Sequence, residues 1–426
     1  MKLFKKPVFV SVSPNAQIDD VFLALKLIFS PWRWIKGEAP QKLIQEIKNY
    51  FGFKSIFVFD SGRTSLYAIL SSVGLKEGDE VLVQAFTCAA AVNPILWVNA
   101  KPVYVDIEEN TFNMSPADLE KKIAPRSRAI IIQHTFGMPG KLDEIISIAK
   151  KNNLMIIEDC AHALGAIYKG KKVGTFGDAA FFSFGRYKII SSVFGGAAAT
   201  DNPKIAENLK NFYEKCDYPA RFWIFQQLFH PIFLSIAKPF YNFFSFGKIA
   251  VVAAKKLKLL SLTVYSEEKI GGRPGFGPSK MPDCLAILGL NQFKKLENFN
   301  RRRLEIAQFY IARFRGDKNI RLPEIFSHTA PVFLTFPVRV ANGDSVYKLI
   351  GFARKNGIYL ENWPAKKVVG PKGTDLEKLR YIGGSCPTAE NVALKTVVLP
   401  TNPNTNIYDA ERVAETIKRF FRADDR

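Results

Sequence analysis

Between residues 55 and 160, short unbroken apolar runs alternate with stretches whose apolar positions recur every three to four residues. The runs "SIFVFD", "DEVLVQAF", "AKPVYVDI", "RAIIIQHTFG" and "LMIIED" read as strands. Between them, "SGRTSLYAILSSVGL" reads as a helix ended by a glycine, and "LDEIISIAKKNN" as a second helix. Strands that are apolar on both faces and alternate with helices predict a mainly parallel sheet covered on both sides. Ligands of such sheets sit at the carboxyl ends of the strands, so the polar residues that follow the apolar runs are the first candidates for a site.

Further along, "MPDCLAILGLNQFKKLENFNRRRLEIAQFYIARF" keeps helical periodicity and predicts one long helix from about residue 280. After it, "YKLIGFARKNGI" and "IYDAERVAETIKRFF" belong to a smaller α+β unit. The expected organisation is an N-terminal segment 1–50, a large α/β domain 51–280, and a connecting helix with a small C-terminal domain over 281–426. One stretch breaks the pattern. Residues 218–266 hold no Asp or Glu, six Lys or Arg, and many aromatic and aliphatic residues. No run in it reaches the roughly 18–20 apolar residues that span a bilayer. Two readings stand: helices lying in a membrane interface, or a helical insertion packed on the body or on a second subunit.

Composition narrows the picture. The 426 residues are 47% hydrophobic and 23% charged, as expected of a globular chain with a large core. The formal net charge of +21 favours anionic partners such as phosphorylated substrates, nucleic acid or an anionic membrane surface. The basic residues are dispersed and form no helix-turn-helix, RNP or zinc-finger pattern, which argues against nucleic acid. Five cysteines without CxxC spacing and four histidines give no support for a disulfide framework or a metal site. The opening "MKLFKKPVFVSVSPN" lacks a signal-peptide pattern, so a cytoplasmic protein is expected.

Three strand-end features carry chemistry. In "IIEDCAHALGA", Asp159 could hold a positively charged ring nitrogen and keep a pyridine ring protonated as an electron sink; it could equally cap a following helix. His162 lies three residues on. In "FDSGRTSLYAIL", a strand, a glycine turn and a helix start make an anion site at Gly62, Arg63 and Thr64, to which Arg63 adds charge. In "FFSFGRYKII", Lys188 sits in an apolar setting that would lower its pKa, leaving a neutral amine able to form a Schiff base. Ser183 precedes it by five residues. Together these features describe a pyridoxal phosphate site.

On these residues, and on "GDEVLVQAFT", "KPVYVDIEENTFNMSPADLEKKI", "HTFGMPGKLDEIISIAKKNNLMIIEDCAHALGA", "GDAAFFSFGRYK" and "VVLPTNP", the chain resembles the DegT-type sugar aminotransferases of the fold type I pyridoxal-phosphate enzymes. The resemblance implies a mainly parallel seven-stranded sheet sandwiched by helices, a smaller C-terminal α+β domain, and a homodimer. It makes Lys188 the residue that holds the cofactor and shuttles the proton, and Asp159 the partner of the pyridinium nitrogen. His162 would lie near the cofactor's 3-hydroxyl, with Ser183 and the N–H groups of Arg63 and Thr64 on the phosphate. Relatives often carry an aromatic residue where this chain has Cys88, which would cover the ring. They often carry an Asn where it has Pro278, which leaves Lys280 as the charge on the substrate or partner-subunit side.

The implied reaction transfers an amino group from glutamate or glutamine to a keto-sugar, usually nucleotide-linked, in amino-sugar and cell-surface glycan synthesis. Alternatives are another fold type I reaction, such as sugar dehydration, or a non-catalytic membrane-associated binding protein. Lys188 argues against dehydration, because the dehydrating branch of the family has His there. The stretch 218–266 leaves open a peripheral contact at the inner membrane surface.

Overall fold

The computed structural model describes residues 6–12, 15–241 and 246–424. Part of the basic opening and four residues of the 218–266 stretch lie outside these ranges. The centre is a seven-stranded sheet built from β1 (Ser55–Phe59), β2 (Glu80–Gln84), β3 (Lys101–Val105), β4 (Ser127–Gln133), β5 (Met155–Asp159), β6 (Ala179–Ser183) and β7 (Gly196–Thr200). The strand order is β1-β7-β6-β5-β4-β2-β3. Only β7 runs antiparallel to its neighbours; the other pairings are parallel.

Alternation along the strands divides the interior into two cores. Val81 and Val83 enter one, Leu82 the other; Ile131 and Ile157 face Ile130, Ile132 and Ile156 across the same sheet. Helices Gly62–Ser72, Ala89–Trp97 and Pro203–Glu214 close the first face with Leu66, Val92 and Leu209. Helices Ile18–Ile28, Ala39–Phe51 and Leu142–Lys151 close the second with Leu27, Leu43 and Ile145. The residues of the segment 1–50 thus belong mostly to the body of the large sheet. An exception is Val8–Phe9, which pairs in parallel with Ile358–Tyr359 near the other end of the chain.

The C-terminal part holds a three-stranded antiparallel sheet of β8 (Ile320–Arg321), β9 (Phe336–Val340) and β10 (Thr396–Leu399). Helices Ser345–Lys355 and Ile407–Asp424 cover it, a small α+β layer on the first core. The architecture is that of a fold type I aminotransferase.

The single long helix expected from residue 280 is two helices, Asp283–Phe293 and Leu296–Phe314. Leu285 and Leu288 of the first, with Leu296 and Phe299 at the start of the second, bury in the second core; Ile306, Tyr310 and Phe314 further along the second helix bury in the first. Lys295, at the turn, is drawn to Asp19 at 2.5 Å and Asp20 at 3.2 Å.

The 218–266 stretch forms helix Arg221–Ala237 and, after residues 242–245, helix Phe246–Lys256. Trp223, Ile224 and Leu228 of the first helix are buried in the second core, so the stretch packs on the body.

Candidate active site

The carboxyl ends of β5 and β6 and the start of helix Gly62–Ser72 meet at one cavity of about 320 Å³. Asp159 is the last residue of β5 and Ser183 the last of β6. The helix approaches so closely that a Cβ on Gly62 would lie 2.7 Å from the Ser183 Cβ and 2.9 Å from its Oγ. A Cβ on Gly196, at the start of β7, would lie 2.5 Å from the Gly62 nitrogen. The two glycines therefore let the helix N-terminus sit on the strand ends beside the Ser183 hydroxyl. The N–H groups of a helix's first turn have no partner within the helix, and those of Gly62 and Arg63 lie at this junction. Gly62, Arg63, Ser183 and Lys188 line the cavity, as do Cys88, Asp159 and His162.

The electrostatics follow from burial. Burial lowers the Lys188 amine below the usual lysine range, against the pull of Asp159. No hydrogen bond or ion pair holds its Nζ among the described residues. The Lys188 N–H is bonded to the Gly185 carbonyl at 3.2 Å, and its own carbonyl accepts from Asn15 Nδ2. Burial raises the Asp159 carboxyl, opposed by the Ala161 N–H on its Oδ1 at 2.9 Å and by Lys188. That bond is the local cap foreseen for Asp159, although a turn rather than a helix follows. His162 is held well below the usual imidazole range by burial, then by Lys188. Its Nδ1 accepts the Phe136 N–H at 3.4 Å. Burial also raises the Cys88 thiol, which stays neutral at the end of a two-residue strand paired with Val369–Gly370.

Three expected contributions differ from the sequence reading. The Arg63 guanidinium is not a free charge at the helix start: it pairs with buried Glu268 and donates to the Thr263 carbonyl at 2.8 Å. The Thr64 N–H is already taken by Ser61 Oγ at 3.2 Å, the N-cap of the helix, and Thr64 does not line the cavity. That leaves the Gly62 and Arg63 N–H groups as the helix-start donors. Lys280 also lies off the cavity within this chain. Its Nζ reaches the Glu214 carbonyl at 3.4 Å and stands 5.2 Å from the centre of the Tyr213 ring.

Other residues line the cavity beyond those at the strand ends. Trp363 crosses the rings of Phe136 at 5.2 Å and His162 at 5.5 Å. Glu361, its carboxyl raised by burial and bonded to Ser11, faces the same space. Both belong to "ENWPAKK", whose position after "RKNGIYL" was the available signal. Arg186, two residues before Lys188, is buried. It donates to the Ser261 carbonyl at 2.8 Å and to Gln227 at 3.0 Å, tying the lysine loop to the 218–266 stretch. His134, Glu158 and Cys160 bring their ligand atoms within 4.8 Å of one another. Glu158 there already accepts the N–H groups of Gly174, Phe176 and Gly177 and meets His134 at 3.0 Å, so it works as a strut beneath β5.

Comparison with known proteins places this geometry. Residues 19–223 and 251–418 match the DegT/DnrJ/EryC1/StrS aminotransferase family. A protein of Methanocaldococcus jannaschii named uncharacterized protein MJ1066 is 32% identical over 97% of both chains. The GDP-perosamine synthase of Escherichia coli O157:H7 is 37% identical over 44% of this chain and 50% of its own. The crystal structure of the aminotransferase TlmJ from Streptoalloteichus hindustanus superposes with a TM-score of 0.76 over 97% of this chain and 99% of its own, at 21% identity. The chain belongs to the DegT/DnrJ/EryC1/StrS aminotransferase family.

Proposed function

We propose that this member of the family is a pyridoxal-phosphate-dependent sugar aminotransferase that aminates a nucleotide-linked keto-sugar, with glutamate or glutamine as the donor. The observation that carries the reading is the convergence on one cavity of a lysine with a lowered pKa, a buried carboxylate and a glycine-fitted helix start. These residues suit the cofactor: a phosphate has Ser183 and the N–H groups of Gly62 and Arg63, and a protonated ring nitrogen has Asp159. When bound, the cofactor supplies an electron sink for the substrate's carbon.

The protein's own groups do the rest. Lys188, its amine lowered below the usual lysine range by burial, would hold the cofactor and carry a proton to and from the reacting carbon. Asp159 keeps its partner nitrogen protonated. His162, itself neutral, orients the ring's polar edge. Cys88, which lines the cavity, would cover a bound ring with less area than an aromatic residue. Trp363 and Glu361 face the substrate side, and Lys280 is assigned to a homodimer partner's site. The relative named GDP-perosamine synthase supports a nucleotide-linked sugar.

Two measurements test this. Lys188→Ala should lose the near-visible absorbance of lysine-bound cofactor and lose turnover by several orders of magnitude. Incubation with labelled glutamate and a panel of keto-sugar nucleotides should place the label on the sugar. Normal transamination by Lys188→Ala sinks the lysine assignment; product formed without label transfer points to dehydration instead.

A further inference from the structure

Helix Ile18–Ile28 buries Ala24 and Leu27 against the sheet and turns Ile18, Phe22 and Leu25 outward. The stripe continues through Phe29, 73% exposed, to Trp32, 74% exposed in the following turn. Helix Arg221–Ala237 packs alongside on the same core, and Arg221 donates to the Pro31 carbonyl at 3.3 Å. Along it runs a ladder of Phe222, Phe225, Phe229 and Phe233, with successive ring centres 6.4, 5.6 and 5.6 Å apart; Phe222 is exposed and the other three half-buried, while Ile236 and the following Phe240 are exposed at its far end. Because both helices bury their inner faces in one core, their outer faces look out on the same side of the molecule. Helix Phe246–Lys256 packs next to Arg221–Ala237 and leaves Ile249, Val252 and the following Leu257 exposed.

The charges on these elements are mostly basic. The two acids of helix Ile18–Ile28, Asp19 and Asp20, are paired with Lys295; past them residues 21–37 contain three Lys or Arg and no acid, and residues 218–266 contain six and no acid. Beside the stripe lies a cleft of about 460 Å³ bordered by Arg33, Lys36, Lys42 and Lys294, with two acids on its wall: Glu38, paired with Lys42, and Asp283, which accepts the Ala39 N–H.

We propose that this face docks on an anionic membrane surface. Exposed aromatic side chains flanked by lysines without acids match the interfacial region, where rings sit at headgroup level and each basic residue gains from anionic lipid. A second copy of the chain is the poorer occupant, since a two-fold contact would set these basic residues against their own equivalents, while Asp19, Asp20 and Glu38 nearby are already paired within the chain with Lys295 and Lys42. No helix among the described residues is long and apolar enough to cross a membrane, so the contact lies on the surface. The same stretch ends at the catalytic cavity: Thr263 and Val264 line it, and Arg186 bonds both Gln227 and Ser261. Docking therefore holds the site beside the bilayer, and the inference stands apart from the reaction assigned to that site.

Flotation of the full-length protein with phosphatidylglycerol-rich vesicles and with pure phosphatidylcholine vesicles tests it, with light scattering on the same samples. The protein should float with the anionic vesicles, less so as salt rises, and not with the neutral ones. A Phe22→Ser, Phe29→Ser, Trp32→Ser variant should bind roughly tenfold more weakly or worse. A Lys255→Glu, Lys256→Glu, Lys258→Glu variant should lose the preference for anionic lipid; it decides the matter if the first variant fails to fold by circular dichroism. The proposal fails if the wild type does not float with anionic vesicles, or if the folded variants float equally well. It fails too if either variant halves the mass in solution, which would make the face a contact between copies.

Discussion

Replacing Gly62 by Ala sets local propensity against packing. Gly62 is the first residue of its helix and has no left-handed backbone, so Ala alone should stabilise by up to about 1 kcal/mol. The new Cβ, however, would lie 2.7 Å from the Ser183 Cβ and 2.9 Å from its Oγ. Carbon contacts sit near 3.5–4.0 Å, so the helix start must withdraw from β6 by about 1 Å. Overpacking of this kind costs about 1–3 kcal/mol, leaving a net destabilisation of roughly 1–2 kcal/mol. The same shift lengthens a bond from the Gly62 or Arg63 N–H to a phosphate oxygen from about 2.9 to about 3.9 Å, beyond useful reach. Losing one charge-assisted bond, worth about 1.5–3 kcal/mol, weakens cofactor binding about 10- to 150-fold. Urea unfolding of the apoprotein and absorbance titration with pyridoxal phosphate measure the two effects. Gly351→Ala is the control: it lies inside helix Ser345–Lys355 with nothing within 4 Å of its new Cβ, and should be neutral or stabilising by up to about 1 kcal/mol. In a Ser183→Gly background, Gly62→Ala should recover most of its lost stability. If Gly62→Ala matches the wild type in both measurements while the control behaves, the helix start does not rest on Ser183 as described.

The buried Arg63–Glu268 pair predicts a large single-site loss with partial rescue. Arg63→Met should cost about 3–5 kcal/mol because it strands a buried carboxylate, and adding Glu268→Gln should restore more than half; a single-mutant loss below about 1 kcal/mol would contradict the pairing. Asp60, pushed up to about 6 by burial against hydrogen bonds from its neighbours, gives a pH signature. A raised folded pKa means that the native state holds its proton more tightly. The penalty for charging Asp60 is therefore absent at pH 4 and below, grows as pH rises to about 6, and is constant above. Asp60→Asn should thus stabilise the apoprotein at pH 8, by up to about 3 kcal/mol, and the gain should vanish near pH 4 in urea-unfolding measurements. A gain independent of pH would rule out the carboxylate as its source.

Much of the candidate site was legible because its parts are local. An apolar run followed by Asp159, a run ending at Ser183, and a glycine at the start of a helix are short patterns, and the rule that parallel strands present ligands at their carboxyl ends brings them to one edge. Cys88 follows the same rule, standing just past the strand that ends at Gln84. What the patterns missed depends on partners remote in sequence. Arg63 reads as an anion-binding charge until Glu268, 205 residues away, neutralises it. Arg186 reads as an awkward neighbour of Lys188 until Gln227 and Ser261 receive its guanidinium. Trp363 and Glu361 reach the cavity only because the C-terminal part folds back over the sheet. The long periodic stretch after residue 280 reads as one helix because periodicity records which side is apolar, not that the chain turns at Lys294 and Lys295, where Lys295 is drawn to Asp19 and Asp20 at least 275 residues away.

By itself, then, the sequence determined the alternation of strands and helices, the sheet's buried faces and the residues at its strand ends, since period and turn chemistry act over a few neighbouring residues. The tertiary structure alone decided which charges are free and which are paired, and which helix-start N–H groups remain unbonded. It also decided which apolar side chains of the helices Ile18–Ile28, Arg221–Ala237 and Phe246–Lys256 stay exposed, among them Phe22, Phe222 and Ile249. Those outcomes rest on desolvation and ion pairing between groups far apart along the chain, and neither exists until the chain has folded.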